Sequence, residues 1–369
     1  SEERFITEKE AESGDFRDIK KIKVKNYFFK MSKYQQSLIN HINSNPDFIQ
    51  PKHRKNEILG FLKQPLNDLC ISRPKIRLNW GIELPFDSDY VTYVWFDALI
   101  NYITALGYKE NQEEFKSLWP ASYHLIGKDI LTTHAVYWPT MLMSLGLQLP
   151  KTIFAHGWWL MSESKMSKSI GNVINPMELI NKYGVDPVRY FLMREMVLGQ
   201  DSNFSIETFK NRYNSDLAND FGNLLSRVST LMKKNYNGKI PDLVKISESG
   251  EKIKLNSELL IKSVKTKMEL MRINEAIEDI MRFIRSVNKY LELNAPWKMV
   301  KIDKINAGNV LYVAGEALRI AALLLSPVMP SRTSLLLEAF NAGKSSLNWG
   351  ELQSGSIIKD HSPLFPRLN

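Results

Sequence analysis

Apolar positions change their spacing partway along this chain, and the change predicts two kinds of architecture. The run Tyr90-Val91-Thr92-Tyr93-Val94-Trp95-Phe96 is aromatic, β-branched and alternating, which predicts a strand. Asp97 follows, and an acidic residue suits a first helical turn, so a helix is predicted from there. Tyr123-His124-Leu125-Ile126-Gly127 predicts a second, buried strand, residues 131–144 a helix, and Thr152-Ile153-Phe154-Ala155-His156 a third strand. Alternating strands and helices imply βαβ units on a parallel sheet. Ligands of such sheets sit at the carboxyl ends of strands, where Trp95, Gly127-Lys128-Asp129 and Gly157-Trp158-Trp159 would emerge. Upstream, residues 33–45 and 54–63 read as helical, the latter stopping before Pro65, with a loop at 47–51.

From about residue 206 the period becomes that of a helix. Leu217, Phe221, Leu224, Val228 and Leu231 step by threes and fours, as do Ile273, Ile277, Ile280, Ile284, Val287 and Leu291. Residues 314–325 are apolar nearly all round, the mark of a central helix. The C-terminal part is therefore expected to be a helical bundle.

Composition narrows the picture. A chain of 369 residues should hold two or three domains, and its 44% hydrophobic share is that of an ordinary folded protein. No apolar run reaches the roughly 18 residues of a membrane span. The charged start, Ser-Glu-Glu-Arg-Phe, does not read as a signal peptide. Cys70 is the single cysteine, so no internal disulfide and no four-cysteine zinc knuckle is expected, and the expected compartment is reducing. A net charge of +9 points toward a polyanionic partner.

Chemistry concentrates in Lys165-Met166-Ser167-Lys168-Ser169, ahead of Gly171. Two ammonium groups and two hydroxyls in one polar loop suit a clamp on a polyphosphate. A second segment, His124-Leu125-Ile126-Gly127-Lys128-Asp129-Ile130, begins like a His-Ile-Gly-His signature but lacks the second histidine, and that match is rejected. In its second half, a glycine at a strand end lets backbone approach a ligand, and the Asp129 carboxylate can accept from ribose hydroxyls. A solvated turn is the alternative for that pair.

The lysine-serine loop resembles the second signature of class I aminoacyl-tRNA synthetases. Residues 95–102 (Trp95-Phe96-Asp97-Ala98-Leu99-Ile100-Asn101-Tyr102), then Gly127-Lys128-Asp129-Ile130 with His134 and Trp138, then that loop, occur in the order of the methionyl-tRNA synthetase family. Ser72-Arg73-Pro74, Trp80-Gly81-Ile82, Asn294-Ala295-Pro296-Trp297 and Leu364-Phe365-Pro366-Arg367 resemble it too. The resemblance implies a Rossmann-like class I catalytic domain, represented by its second half, followed by an all-α anticodon-binding bundle. It implies a remainder of a connective insertion at 1–72, the catalytic portion with a stem-contact region at 73–205, and the anticodon-binding domain at 206–369.

It also implies roles. Trp95, Ala98, Leu99, Tyr102, Ile130 and His134 match positions lining a methionine side-chain pocket, and a polarizable thioether favours aromatic contact. Ala98 and Leu99 are equally readable as plain core, as is a lone histidine on an apolar face. Gly127 and Asp129 match positions near an ATP ribose. Lys165 and Lys168 match the two signature lysines, with Lys168 the main stabiliser of the α-phosphate and departing pyrophosphate. Asn223, Arg227 and Trp297 match anticodon-reading positions, because exposed aromatics with amide and guanidinium groups stack and read unpaired bases. A solvated face and a bundle-end core residue are the alternatives.

The implied reaction joins methionine and ATP into methionyl-adenylate with magnesium, then transfers the acyl group to tRNA(Met). The expected protein is a cytoplasmic monomer with no membrane contact and no zinc site in this chain. The segment carrying His-Ile-Gly-His is not found, so an active site complete within this chain is not expected, and Ser162-Glu163-Ser164 lacks a glycine common before the loop. Two rivals stand beside this reading. One is a sister class I synthetase for leucine, isoleucine, valine or cysteine; the other is a tRNA-binding module without catalysis.

Overall fold

The computed structural model describes residues 25–161, 164–165, 174–343 and 346–368. The chain divides into two compact units, Ser1–Ala155 and His156–Asn369.

In the first unit, three strands lie in the order Ile49–Gln50, Thr152–His156, Tyr123–Gly127. Ile49–Gln50 corrects the loop expected at 47–51: it runs parallel to the Thr152–His156 strand with Ile49 beside Ile153. Two residues are too few to show a period. Phe48 and Ile49 are fully buried, and the Ile153 N–H donates to the Phe48 carbonyl at 2.7 Å. The first predicted strand also moves. It spans Asp87–Thr92, and the following helix, Val94–Thr104, starts three residues before Asp97, which closes its first turn. That strand pairs antiparallel with Ser72–Pro74 and Glu83–Leu84, in a separate sheet. Alternation reports a pleated, half-buried surface and is silent about which sheet receives it.

The apolar core of this unit crosses residue 72. Leu38, Ile42, Ile49, Ile58 and Leu62 pack with Ile126, Leu131, Val136 and Ile153. A second cluster joins Leu99 and Ile103 to Phe115, Trp119, Trp138 and Leu142. The helix expected over 131–144 is present with an irregular pitch. A 3₁₀ turn, Lys128–Ile130, leads to a π-helical turn, Thr133–Tyr137, and then to the α-helix Trp138–Ser144. π turns recur at functional sites.

In the second unit a small sheet runs Ser164–Lys165, Trp159–Met161, Ser202–Asn203. Helices Pro176–Tyr183, Val185–Glu195 and Ile206–Arg212 follow, then a π-helical stretch Tyr213–Gly222 continuing as Asn223–Asn235. The long helices Glu248–Glu269, Ile273–Asn294 and Lys304–Leu325 complete the bundle with Pro330–Ala339. The predicted stripes face its core: Leu217, Phe221, Leu224 and Val228 are buried, as are Ile277, Ile280, Ile284, Val287 and Leu291.

Lys304–Leu325 is long and apolar enough to cross a membrane by length and composition, yet 89% of its apolar window is buried inside the protein. It carries an ion pair between Glu316 and Arg319, 0% and 1% exposed, with Arg319 Nη2 donating to Glu316 Oε1 at 2.7 Å. Arg319 also donates to the carbonyls of Ser346 and Asn348. Glu316 accepts from the N–H groups of Gly350, Glu351 and Leu352. One pair thereby fastens the irregular segment 346–352 to the central helix, with every partner charge-assisted.

Candidate functional site

The helix Val94–Thr104 presents two faces. Leu99 and Ile103 are buried in the core, while Trp95, Ala98 and Tyr102, spaced three and four apart, lie on another face and stay at least partly exposed. Leu99 therefore packs as core, at 1% exposure, and Ala98 is exposed. Opposite stands the π turn carrying His134, 2% exposed.

A chain of hydrogen bonds links the two elements. His134 Nδ1 lies 3.0 Å from the Ile130 carbonyl, which can only accept, so Nδ1 carries the proton. Nε2 is then an acceptor, and Tyr102 donates its hydroxyl to it at 2.9 Å. The Trp95 ring meets His134 edge-on, with centroids 6.4 Å apart at 82°. Burial lowers the His134 pKa, with the Ile130 carbonyl pulling the other way, and burial raises that of Tyr102. Both groups are neutral near pH 7, so Trp95, Tyr102, Ile130 and His134 form one uncharged, aromatic-edged cluster.

Behind it stands His124, to which sequence reasoning assigned no role. Its Nε2 accepts the Trp138 indole N–H at 3.2 Å, and its ring lies 4.4 Å from Tyr102. Burial, then the nearby His134, pushes its pKa down to about 4. The available signal was phase: His124 and Ile126 are the buried positions of an alternating strand, so a polar residue sits where an apolar one is expected. Gly127 ends that strand, and Asp129 sits exposed in the 3₁₀ turn beyond it.

Of the lysine pair, Lys165 lies in a short strand antiparallel to Trp159–Met161, opposite Leu160. Lys168 lies outside the described residues.

In the second unit, Asn223 and Arg227 occupy consecutive turns of Asn223–Asn235, Asn223 exposed and Arg227 partly so. The Ile273–Asn294 helix ends at Ala295, whose φ of 42° is left-handed, and Pro296 starts the next short helix. That sharp turn sets Trp297 beneath Arg227, whose guanidinium lies 5.4 Å from the indole centroid. Arg227 also meets the exposed Glu292 at 3.6 Å. The structure thus brings Arg227 and Trp297 together.

The same unit holds a charged junction. Asp216, 3% exposed, accepts the Tyr190 hydroxyl at 2.7 Å and lies 3.4 Å from Arg212 and 3.7 Å from Arg194. Arg194 pairs with Glu278, as does Arg285 at 2.6 Å, and Arg285 reaches Asp220 at 3.6 Å. Helices Val185–Glu195, Tyr213–Gly222 and Ile273–Asn294 are tied by these groups.

Residues 10–229 match a family model described as tRNA synthetases class I (M), and residues 240–360 match one described as anticodon binding domain of methionyl tRNA ligase. A methionine–tRNA ligase from Caldanaerobacter subterraneus subsp. tengcongensis is 42% identical over 379 residues, covering 100% of this chain and 59% of the relative. One from Clostridium tetani is 44% identical over 382 residues, again covering 100% of this chain and 59% of the relative. The crystal structure of Mycobacterium tuberculosis methionyl-tRNA synthetase bound by methionyl-adenylate superposes with a TM-score of 0.88 at 38% identity, over 92% of this chain and 68% of that one. The chain thus spans 59% of the length of these two curated relatives.

Proposed function

This chain belongs to the methionyl-tRNA synthetase family, and from that premise we propose that it contributes the methionine side-chain pocket and the anticodon reader of a methionine–tRNA ligase. One observation carries the reading: the relay from Tyr102 through His134 to Ile130 uses up its polar hydrogens internally. The pocket wall then offers aromatic edges and neutral groups. A thioether needs no strong donor or acceptor and gains from aromatic contact, by about 0.3–1.5 kcal/mol. A charged or amide side chain would be desolvated there without a partner, at a cost of about 1–3 kcal/mol.

In the proposed first step the methionine carboxylate attacks the α-phosphorus of ATP, forming the acyl–phosphate anhydride and releasing pyrophosphate. Lys165 and Lys168 act as point charges on the phosphates, with Lys168 opposing the charge that builds as pyrophosphate leaves. Gly127 and Asp129 approach the ribose. In the second step a terminal ribose hydroxyl of tRNA attacks the carbonyl and AMP departs. Magnesium would arrive with the nucleotide; among the described residues no three of His, Cys, Asp and Glu gather to hold an ion. Asn223, Arg227 and Trp297 read the anticodon, with Trp297 stacking a base and the two polar groups meeting its edges. The same reading carries a cytoplasmic monomer acting on tRNA(Met) without a membrane.

The test is amino-acid-dependent exchange between ATP and pyrophosphate by the complete protein. Methionine should drive it; exchange with another amino acid alone overturns the assignment. Binding of tRNA(Met) with no adenylate formed would favour a tRNA-binding module. Trp297→Ala should lower selectivity for the methionine anticodon, and unchanged selectivity returns Trp297 to a structural role.

A further inference from the structure

His124 is a buried imidazole at 6% exposure, on the inward phase of Tyr123–Gly127, outside the residues assigned to methionine above. It is surrounded by aromatic side chains. The Trp138 indole donates to its Nε2 at 3.2 Å, so Nε2 carries no proton and the neutral tautomer has its hydrogen on Nδ1. Its ring centroid lies 4.4 Å from Tyr102, 6.2 Å from Trp119 and 6.5 Å from His134. Trp138 is itself fully buried and packs on Tyr102 at 5.9 Å. Tyr102 thus has its ring held by His124 and Trp138 and its hydroxyl given to His134.

A residue at 124 must do two things at once. It must accept the buried indole hydrogen, which would otherwise stay unpaired, and it must fill the space beside the Tyr102 ring. Phenylalanine meets only the second demand and glutamine only the first; a neutral histidine meets both. We propose that His124 is a positioning residue for methionine recognition: held by Trp138, it fixes the Tyr102 ring and so aims the Tyr102 hydroxyl at His134. The proposal rests on the methionine pocket assigned above.

The experiment measures ATP–pyrophosphate exchange by the complete protein, varying amino acid and ATP separately, for His124→Phe, His124→Gln and His124→Asn. His124→Phe should raise the methionine KM about tenfold, the scale of one lost net hydrogen bond, while kcat and the ATP KM hold. His124→Gln, which reaches the indole, should recover part of the loss, and His124→Asn, which falls short of it, should not. An unchanged methionine KM in a folded His124→Phe protein overturns the proposal, as does a parallel fall in kcat with both KM values. If His124→Phe does not fold, equal methionine KM values for the Gln, Asn and unaltered proteins overturn it. Should the unaltered protein exchange only with a different amino acid, the pocket assignment fails, and the same KM split for that amino acid still decides the role of His124.

Discussion

Two regions of this molecule bury polar side chains, and they satisfy them in opposite ways. Around Tyr102, His134, His124 and Trp138 the groups are neutral: the Tyr102 hydroxyl goes to His134, the His134 Nδ1 hydrogen to the Ile130 carbonyl and the Trp138 indole hydrogen to His124. In the bundle, Asp216 with its arginines and Glu316 with Arg319 are charged, and opposite charge or backbone dipoles answer each group. A neutral relay leaves little field at its surface and suits an uncharged, polarizable ligand. A charged set fixes helices and loops in one register, because removing either partner strands a buried charge. On the proposed function, the difference separates a surface that receives a ligand from a junction that holds helices together.

The contrast is broken most severely at the ion pair. Glu316→Ala should destabilise the protein by about 3–5 kcal/mol, since it strands Arg319 and removes the acceptor of three N–H groups, and denaturant unfolding should show a lower midpoint. Replacing both Glu316 and Arg319 by apolar residues should recover only part of this, because segment 346–352 keeps its unpaired backbone. A midpoint close to the unaltered protein's for the single variant would mean that the pair is relaxed by water.

Acid tests the neutral region next. The His124 pKa lies near 4 in the fold against 6.5 when exposed, so the unfolded chain binds more protons between those values. Stability should fall as pH drops from about 6.5 toward 4, by about 3 kcal/mol from this group. His124→Gln should flatten that limb in pH-dependent unfolding; an unchanged slope would place its source elsewhere.

Smaller changes sharpen the comparison at each ligand surface. Tyr102→Phe removes the hydroxyl given to His134 and should weaken methionine binding by about 1–1.5 kcal/mol, near tenfold in KM. Arg227→Ala should cost about 0.5–1 kcal/mol of anticodon discrimination, the scale of a partly exposed cation–π contact, while fold stability holds within experimental error. Loss of stability without loss of discrimination would make Arg227 a structural brace for Trp297.

Much of this is written in the chain, and the rest has a physical reason for being hidden. The helical stripes from Leu217 and from Ile273 are local signals, read from threefold and fourfold steps, and the bundle follows them. Thr152–His156 was legible as a buried strand from its continuous apolar run; Tyr123–Gly127 was legible as a strand, but it alternates, with Tyr123 and Leu125 exposed, and is not the buried strand expected. Ile49–Gln50 was not legible, because its strand character comes from Ile153 more than 100 residues away. Tyr102 and His134 stand 32 residues apart, and no spacing rule couples them; family resemblance alone nominated both. His124 was met in the sequence as a member of a predicted strand and of a rejected signature, with no role of its own, since its partner Trp138 becomes a neighbour through folding. Lys168 and its loop lie outside the described residues, so the phosphate end of the site rests on the sequence.

The π turn at Thr133–Tyr137 has a consequence for how this stretch tolerates change in length. Such a turn holds one residue more than an α-helix would, and each helical residue advances the direction of side chains by about 100°. A one-residue deletion inside it would relax the backbone to a regular helix, leaving the fold intact where deletions in helices are ordinarily ruinous. It would also swing His134 away from Tyr102 relative to Trp138. The segment should therefore tolerate an indel in folding, and, on the proposed function, the same indel would yield a well-made protein that no longer knows its amino acid.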